Sequence, residues 1–500
     1  MELSLQKLKF NVEKILLFKF GTAGAFESAD GGFMETLTQL VKDINSVLWG
    51  VYCLIPLLVG TGIYFTFRLK FIQLRKIKEI CHEAFSGMTL FGEKAGSHGM
   101  SSFQSLATAI AAQVGTGNLA GAATAIALGG PGAIFWMWIA AFFGMATIFA
   151  EAVLAQLHRK KTDTGRILGG PAYYISQGLG NKWLAGFFAI AIIVALGFIG
   201  NMVQANSIAD AFVVAFDIPT WATGILLAVL GGLVFSGDTS RIAATTEKMA
   251  PIMAILYLLG GLWILIAHIG EIPNAFRMVF VGAFDPSAAT GGIIGAGVKE
   301  AMRYGVARGL FSNEAGMGST PHAHAVARVE YPAQQGFVAI MGVFIDTFVV
   351  LNMTAFVIFV TGVLDGQTSG IALTQNAFAA GFGSHSFGYG FVAVCLFFFA
   401  FSTVIGWYFF AEQNVRYFFG KSGIPEFRVF VMGFIMLGSF LKVDLVWELA
   451  DMFNGLMVLP NLIALWGLSR LVSKALDDYE IKNPSGRAPF YDKSMNAQNK

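Results

Sequence analysis

Two long apolar stretches of this chain are interrupted near their centres by glycines and small polar residues. The first interruption reads Gln113-Val114-Gly115-Thr116-Gly117-Asn118 and the second Phe311-Ser312-Asn313-Glu314-Ala315-Gly316-Met317-Gly318. In hydrocarbon an unpaired backbone group has no water to bond and costs several kcal/mol. Unwound backbone therefore survives at membrane depth only where it is buried in protein or lines a cavity. A pair of such breaks, one in each half of a chain, points to the binding site of a secondary transporter.

Composition places these stretches in a membrane. Charged residues make up 13% of the chain, against about 25% in an ordinary soluble protein. Hydrophobic residues reach 55%, and 59 of the 500 residues are glycine, as close helix packing in lipid favours. The reading is an all-α polytopic membrane protein. The net charge of +2 gives no sign of nucleic acid binding. Cys53, Cys81 and Cys395 are scattered, which argues against both a disulfide framework and a zinc site.

A span needs roughly 20 apolar residues, and eleven segments approach that length. They run from about Val47 to Phe67, Met100 to Leu128, Pro131 to Leu157, Trp183 to Ala209, Pro219 to Phe235, Met249 to Ile269, Lys299 to Ala327, Gly336 to Gly362, Gly388 to Phe410, Phe427 to Leu441 and Val446 to Leu468. Residues 271–297 read as an outer loop with a short amphipathic or re-entrant helix. With the first span running inward, the segments near 68–99, 158–182, 236–248, 414–428 and 470–500 become cytoplasmic. They hold 22 of the 33 lysines and arginines, the asymmetry expected of inner loops. The N-terminus then lies outside and the C-terminus in the cytoplasm. The tail of residues 1–45 fits this poorly, because it carries five lysines. A start at Met34 would remove four of them, so residues 1–33 are expected to be a mis-assigned start or a dispensable extension, which an intact mass would decide.

After the first span ten remain, with the breaks in the first and sixth. Five plus five puts the two halves in opposite orientation, as an inverted repeat requires. The expected organisation is an N-terminal tail (1–45), one transporter domain (46–470) with half-repeats near 100–270 and 290–470, and a cytoplasmic tail (471–500).

Gly115-Thr116-Gly117-Asn118, Gly129-Gly130-Pro131-Gly132-Ala133 and Phe135-Trp136-Met137-Trp138 resemble the signature of the alanine or glycine:cation symporter family. So do Gly200-Asn201-Met202-Val203-Gln204-Ala205-Asn206-Ser207 and the run from Gly309 to Gly318. The resemblance extends from about Met34 to the last span. It implies a sodium-coupled carrier of small neutral amino acids with the leucine-transporter fold, a ten-helix inverted repeat behind one N-terminal helix. It implies no enzyme and no cofactor beyond sodium as coupling ion. The partners it implies are alanine or glycine, sodium and lipid, in the inner (plasma) membrane.

Each break has a bland reading as a packing notch or a simple kink. As a site, the first break offers backbone amides at Thr116 and Gly117 to a substrate carboxylate, because a helix N-terminus carries unpaired donors and partial positive charge. Asn118 adds a side-chain contact. At the second break the carbonyls near Phe311, Ser312 and Asn313 can accept an ammonium, with Phe311 as a pocket wall. Ser312 matches a threonine that bridges substrate and sodium in similar transporters. Phe399-Ala400-Phe401-Ser402-Thr403 resembles the common sodium site of that fold. Ser402 and Thr403 would give hydroxyl oxygens, and Ala111, Val114 and Phe399 carbonyls. Back-bonding of both hydroxyls within the helix is the structural alternative. Trp407, one turn beyond Thr403, would narrow the pocket toward alanine or glycine. Gln204 reads as pocket-lining, or as a tie between helices. Glu314 caps the inner half-helix, contacts the amine or takes a proton, and Asp346 serves a second ion site or a proton step. Glu151 matches a glutamate that pairs with unwound backbone in similar transporters. Rival readings are a proton-coupled carrier and an amino-acid sensor or channel on the same fold. No nucleophile or metal set argues for an enzyme.

Overall fold

The computed structural model describes residues 30–50, 53–85, 99–163, 165–237, 239–285, 289, 291, 297–441 and 443–482. The expected alternative start and most of the cytoplasmic tail therefore lie outside the described residues, as do parts of the 271–297 loop. Two units separate, Met1–Asp43 and Ile44–Lys500. In the first, only the beginning of an amphipathic helix, α1 (Asp30–Leu48), is described.

The second unit is nearly all helical. Helix α2 (Leu54–Arg68) follows a turn in which Gly50 N–H bonds Val47 O at 3.2 Å. The first span is thus not the single run from Val47 to Phe67 that apolarity suggests. Hydropathy cannot see that turn, because the residues around it are themselves apolar. Helix α3 (Ile77–Phe85) comes next. The first broken segment is α4 (Ser102–Gln113), an unwound Val114–Gly115, Thr116 at the head of a wide-turn stretch Gly117–Gly121, and α5 (Ala122–Gly129). Ser101 and Gln104 cap α4 reciprocally. Helix α6 (Ala133–Leu157) packs against the second broken segment.

A small hairpin, β1 (Lys160–Lys161) and β2 (Ile167–Leu168), leads to the short α7 (Pro171–Gly178). Then come α8 (Lys182–Phe216), α9 (Thr220–Phe235), α10 (Thr239–Ala267) and the short helix α11 (Ile272–Gly282). The second broken segment is α12 (Val298–Asn313), an unwound stretch to Thr320, and α13 (Pro321–Ala325). It is followed by α14 (Pro332–Thr361), α15 (Gly370–Phe382), α16 (His385–Phe419), α17 (Ile424–Gly438), α18 (Val443–Gly467) and α19 (Ser469–Lys482). Helix α15 was not anticipated. α8 and α16 outrun their expected spans, because polar and aromatic ends carry each helix past the apolar window.

Six of the described helices are long and apolar enough to cross a membrane. α10 shows how the bundle meets its surroundings. Ile252, Ile255, Leu259, Leu262, Trp263 and Ile266 are exposed, while Met253, Tyr257 and Ile264 on the other side are buried. An apolar stripe of this size facing outward suits lipid rather than water. The interior packs around Trp407, Tyr257, Tyr408 and Phe399.

Candidate functional site

Both breaks lie in the middle of the bundle and are fully enclosed. Thr116, Asn118, Ser312 and Glu314 are 0% exposed. The sequence at each break explains its geometry. At the first, Asn118 Oδ1 accepts from Gly115 N–H at 3.0 Å, closing the turn with a side chain where helix bonding lapses. At the second, Glu314 takes a left-handed φ of 59°, and Gly316 and Gly318 follow at 93° and 80°. Glycine adopts such angles without strain.

The freed amides of Gly316 and Gly318 donate to Glu151 of α6, at 3.0 and 2.9 Å. Asn461 of α18 adds a 2.5 Å bond to the same carboxylate, and Tyr174 bonds Asn461 in turn. A buried carboxylate needs such donors. This is the pairing with unwound backbone expected of Glu151. The two broken segments are joined further: Ser105 of α4 donates to Ala323 O of α13 at 3.0 Å, and Gln156 of α6 donates to Ala327 O at 3.0 Å.

The five oxygens expected of a cation site come together. Thr403 Oγ1 lies 3.0 Å from Ala111 O, 3.5 Å from Val114 O and 3.0 Å from Phe399 O. Ser402 Oγ lies 3.1 Å from Ala111 O and 2.8 Å from Phe399 O. Both hydroxyls do bond back to Phe399 O, yet they also reach across to α4. Back-bonding alone does not account for that. An all-oxygen donor set suits a hard cation.

The expected substrate residues also converge, but several are engaged with one another. Gln204 Oε1 accepts from Thr116 N–H at 3.2 Å, so α8 reaches the first break directly. Thr116 Oγ1 and Gln204 Nε2 are buried with no hydrogen-bond partner. Gly115 lies between the two groups: a Cβ there would come within 2.3 Å of Thr403 Oγ1 and 3.2 Å of Gln204 Oε1. Gly117 faces the second break, where a Cβ would come within 2.9 Å of Ser312 Cα. Phe311 meets Trp407 edge-on at 5.7 Å, and Trp407 Nε1–H bonds Glu314. Ser319 completes the second oxygen of Glu314 at 2.6 Å.

Asp346 of α14 joins the breaks. It accepts from Asn118 Nδ2 at 2.7 Å, from Ser312 Oγ at 2.9 Å and from Thr347 Oγ1 at 2.9 Å. Asn313 Nδ2 donates to Thr347 Oγ1 at 3.1 Å, and Gln113 Nε2 donates to Asn313 O at 2.7 Å. Sequence reasoning placed Gln113 in the first break without giving it a role, and missed Thr347. The signal for Thr347 is a polar residue inside an apolar run, adjacent to one already singled out. Asn206, by contrast, ties α8 to the carbonyls of Gly438 and Leu441. On the far side of Phe311, Arg308 forms a bidentate pair with Asp451 at 2.7 and 2.8 Å and stacks on Trp447 at 4.9 Å.

Two enclosed helix breaks, an oxygen cluster and unpartnered polar groups thus lie together inside a bundle with several membrane-length helices. A family model described as the sodium:alanine symporter family matches residues 34–493. The chain belongs to that family. It is 42% identical over 443 residues to the sodium/alanine symporter AgcS of Methanococcus maripaludis, covering 87% of this chain and 95% of that protein. It is 40% identical to the protein named "Probable sodium/glutamine symporter GlnT" of Bacillus subtilis, over 92% of this chain and 94% of that one. Similarity to the amino-acid carrier protein AlsT of the same bacterium is also 40%, over 92% and 95%. The family and the names of these relatives support an amino-acid:cation symporter, a membrane transporter and not an enzyme.

Proposed function

We propose that this chain is a sodium-coupled symporter that imports a small neutral amino acid, alanine or glycine, across the inner (plasma) membrane by alternating access. In this reading eleven helices span the bilayer. One N-terminal helix precedes a leucine-transporter-like five-plus-five inverted repeat, with the N-terminus outside and the C-terminus in the cytoplasm. The match of breaks α4/α5 and α12/α13 in the two halves supports it.

One observation carries the proposal. The unpartnered Thr116 hydroxyl and Gln204 amide lie across Gly115 from the oxygens of Ala111, Val114, Phe399, Ser402 and Thr403. An unsatisfied buried polar group costs about 1–3 kcal/mol, and a carboxylate binding there removes that cost. It would take the Thr116 amide from Gln204 Oε1, with Gly117 letting the ligand approach the backbone. The ammonium would then lie toward the Phe311, Ser312 and Asn313 carbonyls. Trp407 and Phe311 would limit the side chain to a small one. Sodium on the far side of Gly115 would fix Val114 and Ala111, and so order the Thr116 turn. Each ligand then raises the affinity of the other by the same factor, as linkage requires.

The buried acids Glu314 and Asp346 favour a second reading, coupling to protons. Neither meets a lysine or arginine among the described residues. Uptake of labelled alanine into proteoliposomes under an imposed sodium or proton gradient separates the readings. Accumulation driven by sodium alone supports sodium coupling. Accumulation driven only by protons replaces it, and binding without accumulation identifies a sensor or channel.

A further inference from the structure

A cavity lined by none of the break residues lies at the end of the bundle that the lysine and arginine distribution assigns to the cytoplasm. It has a volume of about 540 Å³ and is walled by Lys160 of the β-hairpin, Arg166, Tyr173 of α7, Lys182 at the head of α8, and Arg416 and Lys421 at the end of α16. Asp163 is its one lining carboxylate among the described residues. Glu412 pairs with both of the lining arginines, Arg166 at 3.1 Å and Arg416 at 2.6 Å. Lys160, Lys182 and Lys421 make no ion pair among the described residues. Positive charge therefore exceeds negative in a concave, partly enclosed place.

The rim is unlike a solvated basic patch. Next to Lys182, Trp183 is 77% exposed and stacks on the exposed Phe187 at 6.0 Å. Next to Lys421, Phe418 and Phe419 are exposed too, and Phe418 lies against Gly186 of α8. Aromatic residues of this kind, beside lysines, mark the level where headgroups meet acyl chains. Basic pockets between helices on the cytoplasmic side suit anionic headgroups.

We propose that this cavity binds the phosphate of an anionic phospholipid, whose chains run along the Trp183–Phe187–Phe418 strip. The phosphate takes Lys160, Lys182 and Lys421, with Arg166 and Arg416 behind them. Its position ties the start of α8 to the end of α16, the two helices that carry Gln204 and the Ser402–Trp407 segment. Free phosphate shares the headgroup's chemistry but has no use for the aromatic strip.

Native mass spectrometry of the purified full chain tests this, with phosphatidylglycerol, phosphatidylcholine and inorganic phosphate as probes. The variant is Lys160→Gln/Lys182→Gln/Lys421→Gln. Its control, Lys78→Gln/Lys248→Gln/Lys474→Gln, removes equal charge elsewhere on the same side. With three near-surface cations removed, the variant is expected to bind phosphatidylglycerol roughly a hundredfold more weakly than the parent. The control and the phosphatidylcholine affinity are expected to be unchanged. Equal weakening in variant and control would reduce the effect to net charge and overturn the site. So would unaltered phosphatidylglycerol binding. Tight inorganic phosphate binding, lost in the variant and with no preference between the two lipids, would assign the cavity to a free anion and overturn the lipid.

Discussion

Asp346 accepts a 2.7 Å hydrogen bond from the Asn118 side chain, across 228 positions of sequence. Ser312 donates to the same carboxylate at 2.9 and 3.1 Å, so one acid draws the two helix breaks together. Replacing it with asparagine turns an acceptor shared by three donors into a group with donors of its own. Asp346→Asn is expected to lower sodium-driven alanine uptake at least tenfold while the protein still reaches the membrane. Uptake within twofold of the parent, at equal surface amount, would remove Asp346 from the site.

The oxygen cluster makes a sharper claim. Loss of one liganding hydroxyl costs about 1 kcal/mol or somewhat more. Ser402→Ala and Thr403→Ala are each expected to raise the sodium concentration for half-maximal uptake roughly tenfold. The alanine affinity measured at saturating sodium should stay close to that of the parent. A variant pair with unaltered sodium dependence would show that both hydroxyls serve only their own helix.

Gly115 and Gly121 make a matched test of crowding. A methyl group at Gly115 would sit 2.3 Å from Thr403 Oγ1, whereas at Gly121 the nearest atom would be 3.8 Å away. Gly115→Ala is expected to abolish sodium-coupled uptake, and Gly121→Ala to keep most of it. Binding of labelled alanine to the two purified variants would report the difference directly.

Trp407 is wedged against Gly200, where a Cβ would approach within 2.6 Å of its ring. Trp407→Leu should open space beside Phe311 and shift the preference from alanine toward larger side chains such as glutamine, by about tenfold in the ratio of uptake rates. An unchanged ratio would mean that the ring does not face the ligand.

One acidic loop residue gives a pH prediction outside the bundle. Thr368 bonds the carboxylate of Asp365 with its hydroxyl at 2.6 Å and its backbone N–H at 2.7 Å, and Gln367 N–H adds a third donor at 2.9 Å. The Thr368 side chain first, then the amides, hold the acid down from its ordinary 3.8 to about 2. Folded-state depression of this sign stabilises the loop above pH 3.8, and the effect fades as pH falls toward 2. Thr368→Ala should move the carboxyl titration, followed by NMR, upward toward the ordinary value.

Much of the site was legible because membrane depth leaves few reasons for a glycine-polar cluster. The residues from Gln113 to Asn118 and Phe311 to Gly318 stand out against apolar neighbours, and Ser402-Thr403 against phenylalanines. The partners of those residues were harder to read. Whether Asn118 meets a ligand or Asp346 depends on how α14 is placed beside the first break, and no local pattern fixes that. The turn at Gly50 escaped for the opposite reason, since apolarity continues through it, and helix α15 because its 13 residues are too short for a span and carry Thr374, Gln375 and Asn376.

Glu151 fastens Gly316 and Gly318 to α6, and Ser105 and Gln156 fasten α13 and the chain just beyond it to α4 and α6. Mechanically, α4 and α13, one half of each interrupted helix, are therefore bolted with α6 into one block, held by side chains rather than by chain continuity. A rocking motion that parts α13 from α4 or α6 has to rupture that buried lattice. Displacement of the block as a unit needs no such rupture, and leaves the flexing to the unwound residues at its edges.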